Sequence, residues 1–279
     1  MRTRHWLTAA LALGALTGPA LGAQDRPRAE EQAARDARDW MDRCDEDRGD
    51  DDRERYCEVR ESRLRAGRVV AVDGRQNGGI EVEAWDGAGI LVQARIQAQA
   101  PSLAEAREIA GRVRIDTAAP TITATGPGTS GSRHWWVSYV ILVPRRTDLN
   151  LSTHNGPIHV DGVTGRMELR AVNGPLTLDD VGGDVHGRTQ NGPLAVSLSG
   201  RSWEGAGLDA ETQNGPVVLE LPQGYGARLE TGTTNGPLNI DFPITLQGRI
   251  GRRITTTLGS GGPPVRAITM NGPLVIRQR

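Results

Sequence analysis

Thr189-Gln190-Asn191-Gly192-Pro193-Leu194-Ala195-Val196 is one copy of a pattern that fills the C-terminal half of this chain. The tripeptide Asn-Gly-Pro occurs six times, beginning at Asn155, Asn173, Asn191, Asn214, Asn235 and Asn271. Self-similarity at a spacing near 20 residues is the mark of stacked structural repeats. Three residues after each Asn stand Ile158, Leu176, Leu194, Val217, Leu238 and Leu274. Five after it stand Val160, Leu178, Val196, Leu219, Ile240 and Ile276. All are aliphatic, and the residues between them are mixed. That is period-two alternation, with one face of a strand buried.

Two positions before the Asn stands Thr153, Thr189, Thr212, Thr233 or Thr269, with Ala171 as the exception. Counting parity through the Asn places both Thr and Asn on the apolar, inward side. Asn tolerates left-handed backbone and Gly favours positive φ, so the pair predicts a sharp bend. Pro is tolerable at a bend and not inside a sheet. Asn side chains at successive corners are expected to hydrogen-bond one another along the stack, as in other stacked-strand assemblies.

The fold expected is mainly β: a parallel β-solenoid, or β-helix, over 147–279, with coils of about 18–23 residues. The gap between Asn235 and Asn271 is twice 18. It admits a further coil with a different corner near Gly251, or a terminal hairpin. Residues 67–146 read as strands leading into the repeat, with Asn77-Gly78-Gly79 as a turn. One helix is expected near Leu103–Val113, capped by Ser102 with Glu105. Ile122–Ala124 and Trp136–Val143 read as a strand pair joined by the loop Gly126–Arg133.

Residues 1–23 read as a signal peptide. Arg2 and Arg4 precede the apolar run Trp6–Leu16, and Ala20–Ala23 supply small residues for cleavage. No later apolar stretch is long enough to span a bilayer as a helix. Residues 24–66 are charged and read as helical, with Ala33, Ala37, Trp40 and Met41 on one side. The two cysteines, Cys44 and Cys57, make one disulfide the simplest expectation for an exported chain. Arg48-Gly49-Asp50 spells a tripeptide that some integrins bind, which chance explains in a stretch this rich in Arg and Asp, and the surrounding Asp residues fail the EF-hand spacing at Gly49.

The formal net charge of −1 gives no basic excess for nucleic acid. Aromatics make up 4% of residues against 36 Gly, which suits a thin repetitive β fold. Asp179, Asp180 and Asp184, with His186 and Arg188, form the one carboxylate cluster that polysaccharide chemistry could use. No nucleophile-elbow, zincin or phosphate-loop motif accompanies it.

The Asn-Gly pairs, Asn77-Gly78 included, the Thr before most of them, Trp203 with Gly205 and Gly207, and Leu221-Pro222 with Gly224-Tyr225 resemble a bacterial adhesin family. That family is a domain of unknown function built on Asn-Gly repeats and similar to auto-transporter adhesin head domains. The resemblance spans about residues 67–279 and implies a β-solenoid and export, without an established activity. The Pro after every later Gly departs from it. The expectation is therefore a non-catalytic envelope or surface scaffold, periplasmic or at the cell surface. It needs no cofactor or metal, and its partner is a polysaccharide or a protein. The alternative is a carbohydrate-active β-helix enzyme, a lyase or hydrolase.

Overall fold

The computed structural model of the protein describes residues 26–46, 53–67, 69–242 and 252–279. The signal-peptide reading, Arg48-Gly49-Asp50 and the corner near Gly251 lie outside the described residues.

In chain order the elements are α1 (Arg26–Glu46), β1 (Glu54–Arg65), β2 (Val70–Asp73), β3 (Ile80–Trp85), β4 (Gly89–Ala100), α2 (Leu103–Arg112), β5 (Arg114–Asp116), β6 (Thr121–Thr125) and β7 (His134–Pro144). The repeat follows as β8 (Leu149–Thr153), β9 (Ile158–Asp161), β10 (Thr164–Asn173), β11 (Leu176–Asp179), β12 (Gly182–Asn191), β13 (Leu194–Ser197), β14 (Gly207–Asn214) and β15 (Val217–Leu221). The chain ends with β16 (Ala227–Asn235), β17 (Leu238–Ile240), β18 (Arg253–Leu258), β19 (Pro264–Asn271) and β20 (Leu274–Gln278).

The protein is mainly β, built on two mixed ten-stranded sheets. The first runs β1-β4-β7-β3-β9-β11-β13-β15-β20-β17, and the second runs β18-β16-β19-β14-β12-β10-β8-β2-β6-β5. Each Asn-Gly-Pro carries the chain from a strand of the second sheet to one of the first, so a pair such as β12 and β13 makes one tier. Neighbouring tiers pair in parallel and in register, with Leu176 beside Leu194 and Asn173 beside Asn191. Among the strands described, β1–β4, β4–β7, β5–β6 and β16–β18 pair antiparallel.

The tiers do not stack in chain order. The tier β19–β20 lies between β14–β15 and β16–β17. At the other end, β2–β3 lies between β6, β7 and the tier β8–β9. The long gap before Asn271 therefore holds β18, which pairs antiparallel with β16, and the chain then turns back into the stack.

The core lies between the sheets. Leu151, Val160, Leu169, Leu176, Leu194, Val217, Leu219, Leu274 and Ile276 are buried, and each such side chain is worth roughly 1.5–3 kcal/mol before entropy. Helix α1 packs outside the first sheet, where Ala33 meets Trp85, Leu91 and Leu142. Cys44 near its end is joined to Cys57 of β1, with Cα atoms 6.3 Å apart. Ser102 caps α2 by accepting from Glu105 N at 3.3 Å.

Three sequence expectations are corrected. Glu54–Arg65 is an edge strand, since its charged residues alternate with Tyr56 and Leu64, which pack on the core. β6 and β7 belong to different sheets, so the segment Gly126–Arg133 crosses between sheets and closes no hairpin. The corner Asn residues are exposed, whereas the preceding Thr residues are buried. β12 runs through Asn191 and the bend follows at Gly192, but Gln190 and Asn191 are both exposed, so the alternation of burial stops at the strand's end.

Candidate functional site

The corners form three parallel rows of contacts. Asn155, Asn173, Asn191, Asn214, Asn271 and Asn235 each donate Nδ2–H to the Oδ1 of the preceding tier's Asn, at 2.8–3.0 Å. The row begins at Asn77, which accepts from Asn155. Beneath it, Thr153, Thr189, Thr212, Thr269 and Thr233 donate Oγ1–H to the neighbouring corner's Gly carbonyl at 2.6–2.9 Å. Ala171 interrupts this second row. In the third row the glycines themselves touch. A Cβ on Gly192 would stand 2.1 Å from Gly174 O, and one on Gly174 2.1 Å from Gly156 O. No corner Asn has positive φ, and neither Gly174 nor Gly192 does. Close approach, and not left-handed backbone, is what selects Gly at these two corners.

Replacing Asn191 by Leu removes two amide bonds of the exposed row. A destabilisation of about 1–2 kcal/mol is expected. Gln190→Leu, at an exposed position with no ladder bond, is expected to stay within about 0.5 kcal/mol of wild type. Urea midpoints measure both. Equal midpoints for Asn191→Leu and wild type would show that the amide row adds nothing.

The carboxylate cluster singled out in the sequence is divided by the fold. Asp179 lies on the outer face of the first sheet, where His159 Nε2 stands 3.0 Å from its Oδ2. Asp184 and His186 lie on the second sheet, 3.1 Å apart, and Arg188 is on the same strand. Asp180 sits between them with φ 48°, bonded to Arg145 at 3.0 Å and to Ser199. Burial opposes ionisation of Asp180, and the bonds from Ser199 and Arg145 outweigh it, so its pKa is lowered. These groups therefore serve two opposite faces and a corner. Among the described residues no group of three His, Cys, Asp or Glu is arranged to hold a metal ion.

The outer face of the first sheet carries a row of like charges. Parallel register sets Glu83 beside Asp161 and Asp161 beside Asp179. Burial, then Glu81 and Asp161, push the Glu83 carboxyl above its ordinary 4.5. Burial, then Asp179, raise that of Asp161. An acid whose pKa is raised by folding holds its proton more tightly when folded. Stability is thus lost as pH rises from the ordinary carboxylate range through the folded value. Glu83→Gln is expected to raise stability at pH 7 by about 0.5 kcal/mol, on the scale of cross-strand like charges. It should also flatten the decline above pH 4.5. Thermal midpoints against pH check this, and an unchanged profile would refute it.

An aromatic cleft opens where the corner row ends. It has a volume of about 270 Å³ and lies between β7, the corner 74–77 and the segment 127–129. Asn-Gly-Pro closes later corners tightly, but the step from β6 to β7 is made by the longer Gly126–Arg133 segment, and the space stays open. Trp135 forms one wall, with its indole N–H donated to Pro127 O at 2.8 Å. A Cβ on Gly126 would stand 2.7 Å from that ring, so glycine lets the indole lie against the segment. Arg133 ties the segment to Glu105 of α2.

Tyr139 also lines the cleft. Its side chain is only 1% exposed and its hydroxyl has no hydrogen-bond partner. Burial, then the Asp73 carboxylate, push the phenol's pKa up, so it is a neutral donor at every physiological pH. Arg75 holds φ 57°, with its N–H donated to Asp73 Oδ1 at 2.9 Å. Gln76, Asn77, Thr129 and His134 add further polar groups to the lining. No carboxylate is among the lining residues. Sequence reading missed this site because Trp136–Val143 reads simply as one strand of a pair.

No protein-family model matches the chain, and no curated protein matches it significantly. Solved structures to which the chain shows a distant similarity include a "putative cell adhesion protein" from Clostridium sporogenes. It is 13% identical with a TM-score of 0.43, over 80% of this chain and 100% of that one. A "putative adhesin" from Bacteroides fragilis is 11% identical with a TM-score of 0.33, over 80% and 97%. A "putative lipid binding protein" from Parabacteroides distasonis is 10% identical with a TM-score of 0.31, over 79% and 96%. Likenesses this distant transfer no activity or ligand to the present chain.

Proposed function

We propose that this is a non-catalytic, exported binding protein of the cell envelope or surface. Its repeat acts as a rigid β-solenoid that holds the aromatic cleft at one end. The observation that carries the reading is the make-up of that cleft. Aromatic walls and a few fixed polar donors are the composition of a binding pocket. Sugar hydrolysis needs two carboxylates about the scissile bond, and none lines this space. Export is consistent with the disulfide and with the residues of the expected signal peptide.

The test is retention of purified envelope polysaccharide in sedimentation, with chromatography of the supernatant for cleavage products. Retention that is lost in Trp135→Ala and Tyr139→Phe, without products, is the expected outcome. Cleavage products that disappear when Asp179, Asp180 and Asp184 are replaced together would overturn it.

A further inference from the structure

We infer that the aromatic cleft takes a sugar unit bearing a carboxylate, a uronate within a glycan. This rests on the binding role proposed above and adds the class of ligand. Three independent features of the cleft point the same way.

The first is the Tyr139 hydroxyl. A buried polar group without a partner is unfavourable and is retained where something else satisfies it. Tyr139 is among the residues that line the cleft, so an acceptor on a ligand bound there would supply the missing partner.

The second is the direction of the amide row. Every Asn donates toward Asn77, from Asn235 through Asn271, Asn214, Asn191, Asn173 and Asn155. Hydrogen bonds in a chain polarise one another. Asn77 uses its Oδ1 to accept from Asn155, which leaves its Nδ2 as the terminal donor on the cleft rim. The row therefore presents a strengthened N–H donor to the ligand.

The third is charge and shape. Arg75 is the arginine among the lining residues, and Asp73, which borders the neighbouring cavity with it, accepts from the Arg75 backbone N–H. An arginine at the rim of a cleft whose own lining holds no acid favours an anion, and the guanidinium fork matches a carboxylate. The indole of Trp135 supplies a flat apolar wall of the kind that pairs with the C–H face of a pyranose ring. In this reading Trp135 packs on the ring and Tyr139 donates to it, while Arg75 and Asn77 read its carboxylate and hydroxyls.

The probes are trigalacturonate and its neutral counterpart galactotriose, titrated into the whole protein and followed by tryptophan fluorescence and calorimetry. Wild type is expected to bind the acidic trimer at least tenfold tighter, with the preference shrinking as salt rises. Arg75→Asn, which keeps a residue tolerant of left-handed backbone, should erase the preference. Asn77→Asp keeps the acceptor for Asn155 and removes the terminal donor, so it should weaken the acidic trimer more than tenfold. Tyr139→Phe should weaken both ligands about tenfold while leaving the thermal midpoint equal to or above wild type. That readout separates a binding hydroxyl from a structural one.

Equal affinity for the two trimers, or no response of either to Tyr139→Phe, would overturn the inference. Retention of envelope polysaccharide that depends on Trp135 but shows no uptake of the acidic trimer would also overturn it. The binding role would survive that last result.

Discussion

Gly192→Ala is expected to destabilise the protein by about 3 kcal/mol or more, although it adds a single methyl group near the surface. Alanine normally replaces glycine in strands and loops at little cost or with a small gain. Here the added carbon would stand 2.1 Å from Gly174 O and 2.5 Å from Gly174 C. Neither side can retreat. Gly174 N donates to Asn191 O at 3.1 Å, and Gly192 N donates to Asn214 O at 3.0 Å. Thr189 binds Gly174 O from within at 2.8 Å, and the Asn side chains tie the same corners from outside. Relief requires breaking contacts in two adjoining tiers, which is the overpacking cost at its upper end. Guanidinium midpoints at constant m-value measure it. A loss below about 1 kcal/mol would show that the corners are pliable.

Leu194→Asp is expected to be more damaging still, by about 5 kcal/mol, and to leave little folded protein at 37 °C. Leu194 is fully buried, in register with Leu176 on one side and Val217 on the other. Removing its side chain alone costs about 2–5 kcal/mol in a core that cannot collapse. The introduced carboxyl also has no partner between the sheets and must be buried neutral or displaced to solvent. Circular dichroism at several temperatures follows the loss. A variant that melts within a few degrees of wild type would mean that the two sheets are not closely packed at this tier.

The alternation of aliphatic residues around each Asn-Gly-Pro was readable because strand geometry has a period of two, and every tier repeats it. The Thr rows were readable for the same reason: Thr212 and Thr269 fall on the inward parity and are fully buried. Parity misled at the Asn, because it is the last residue of its strand, where two successive residues are exposed and the alternation has ended. The chemical reason for Gly was also different from the expected one, since steric contact between tiers is invisible in a single copy of the motif. Tier order was hidden more deeply. All Asn-Gly-Pro corners are interchangeable as stacking partners, so no residue in the motif says which tier adjoins which. The aromatic cleft left no motif because its parts lie far apart in sequence: Arg75 and Asn77 before α2, Trp135 and Tyr139 after it. The divided fate of Asp179 and Asp184 shows the converse, that neighbours in sequence can be separated by the width of the protein.

The out-of-order placement of the end tiers bears on how such a chain can lengthen through evolution. In a simple repeat array a unit copied at either terminus adds one more unit at the tip. Here a unit appended after Arg279 would emerge next to β20, between β15 and β17, where both flanks are already paired. A unit duplicated between Asn155 and Asn214 meets no such obstacle, because there chain order and spatial order agree and the first two spacings are each 18 residues. Gene duplication is thus channelled to the middle of the array. Related chains of different length should differ in the number of central repeats while keeping both ends, and with them the cleft, unchanged.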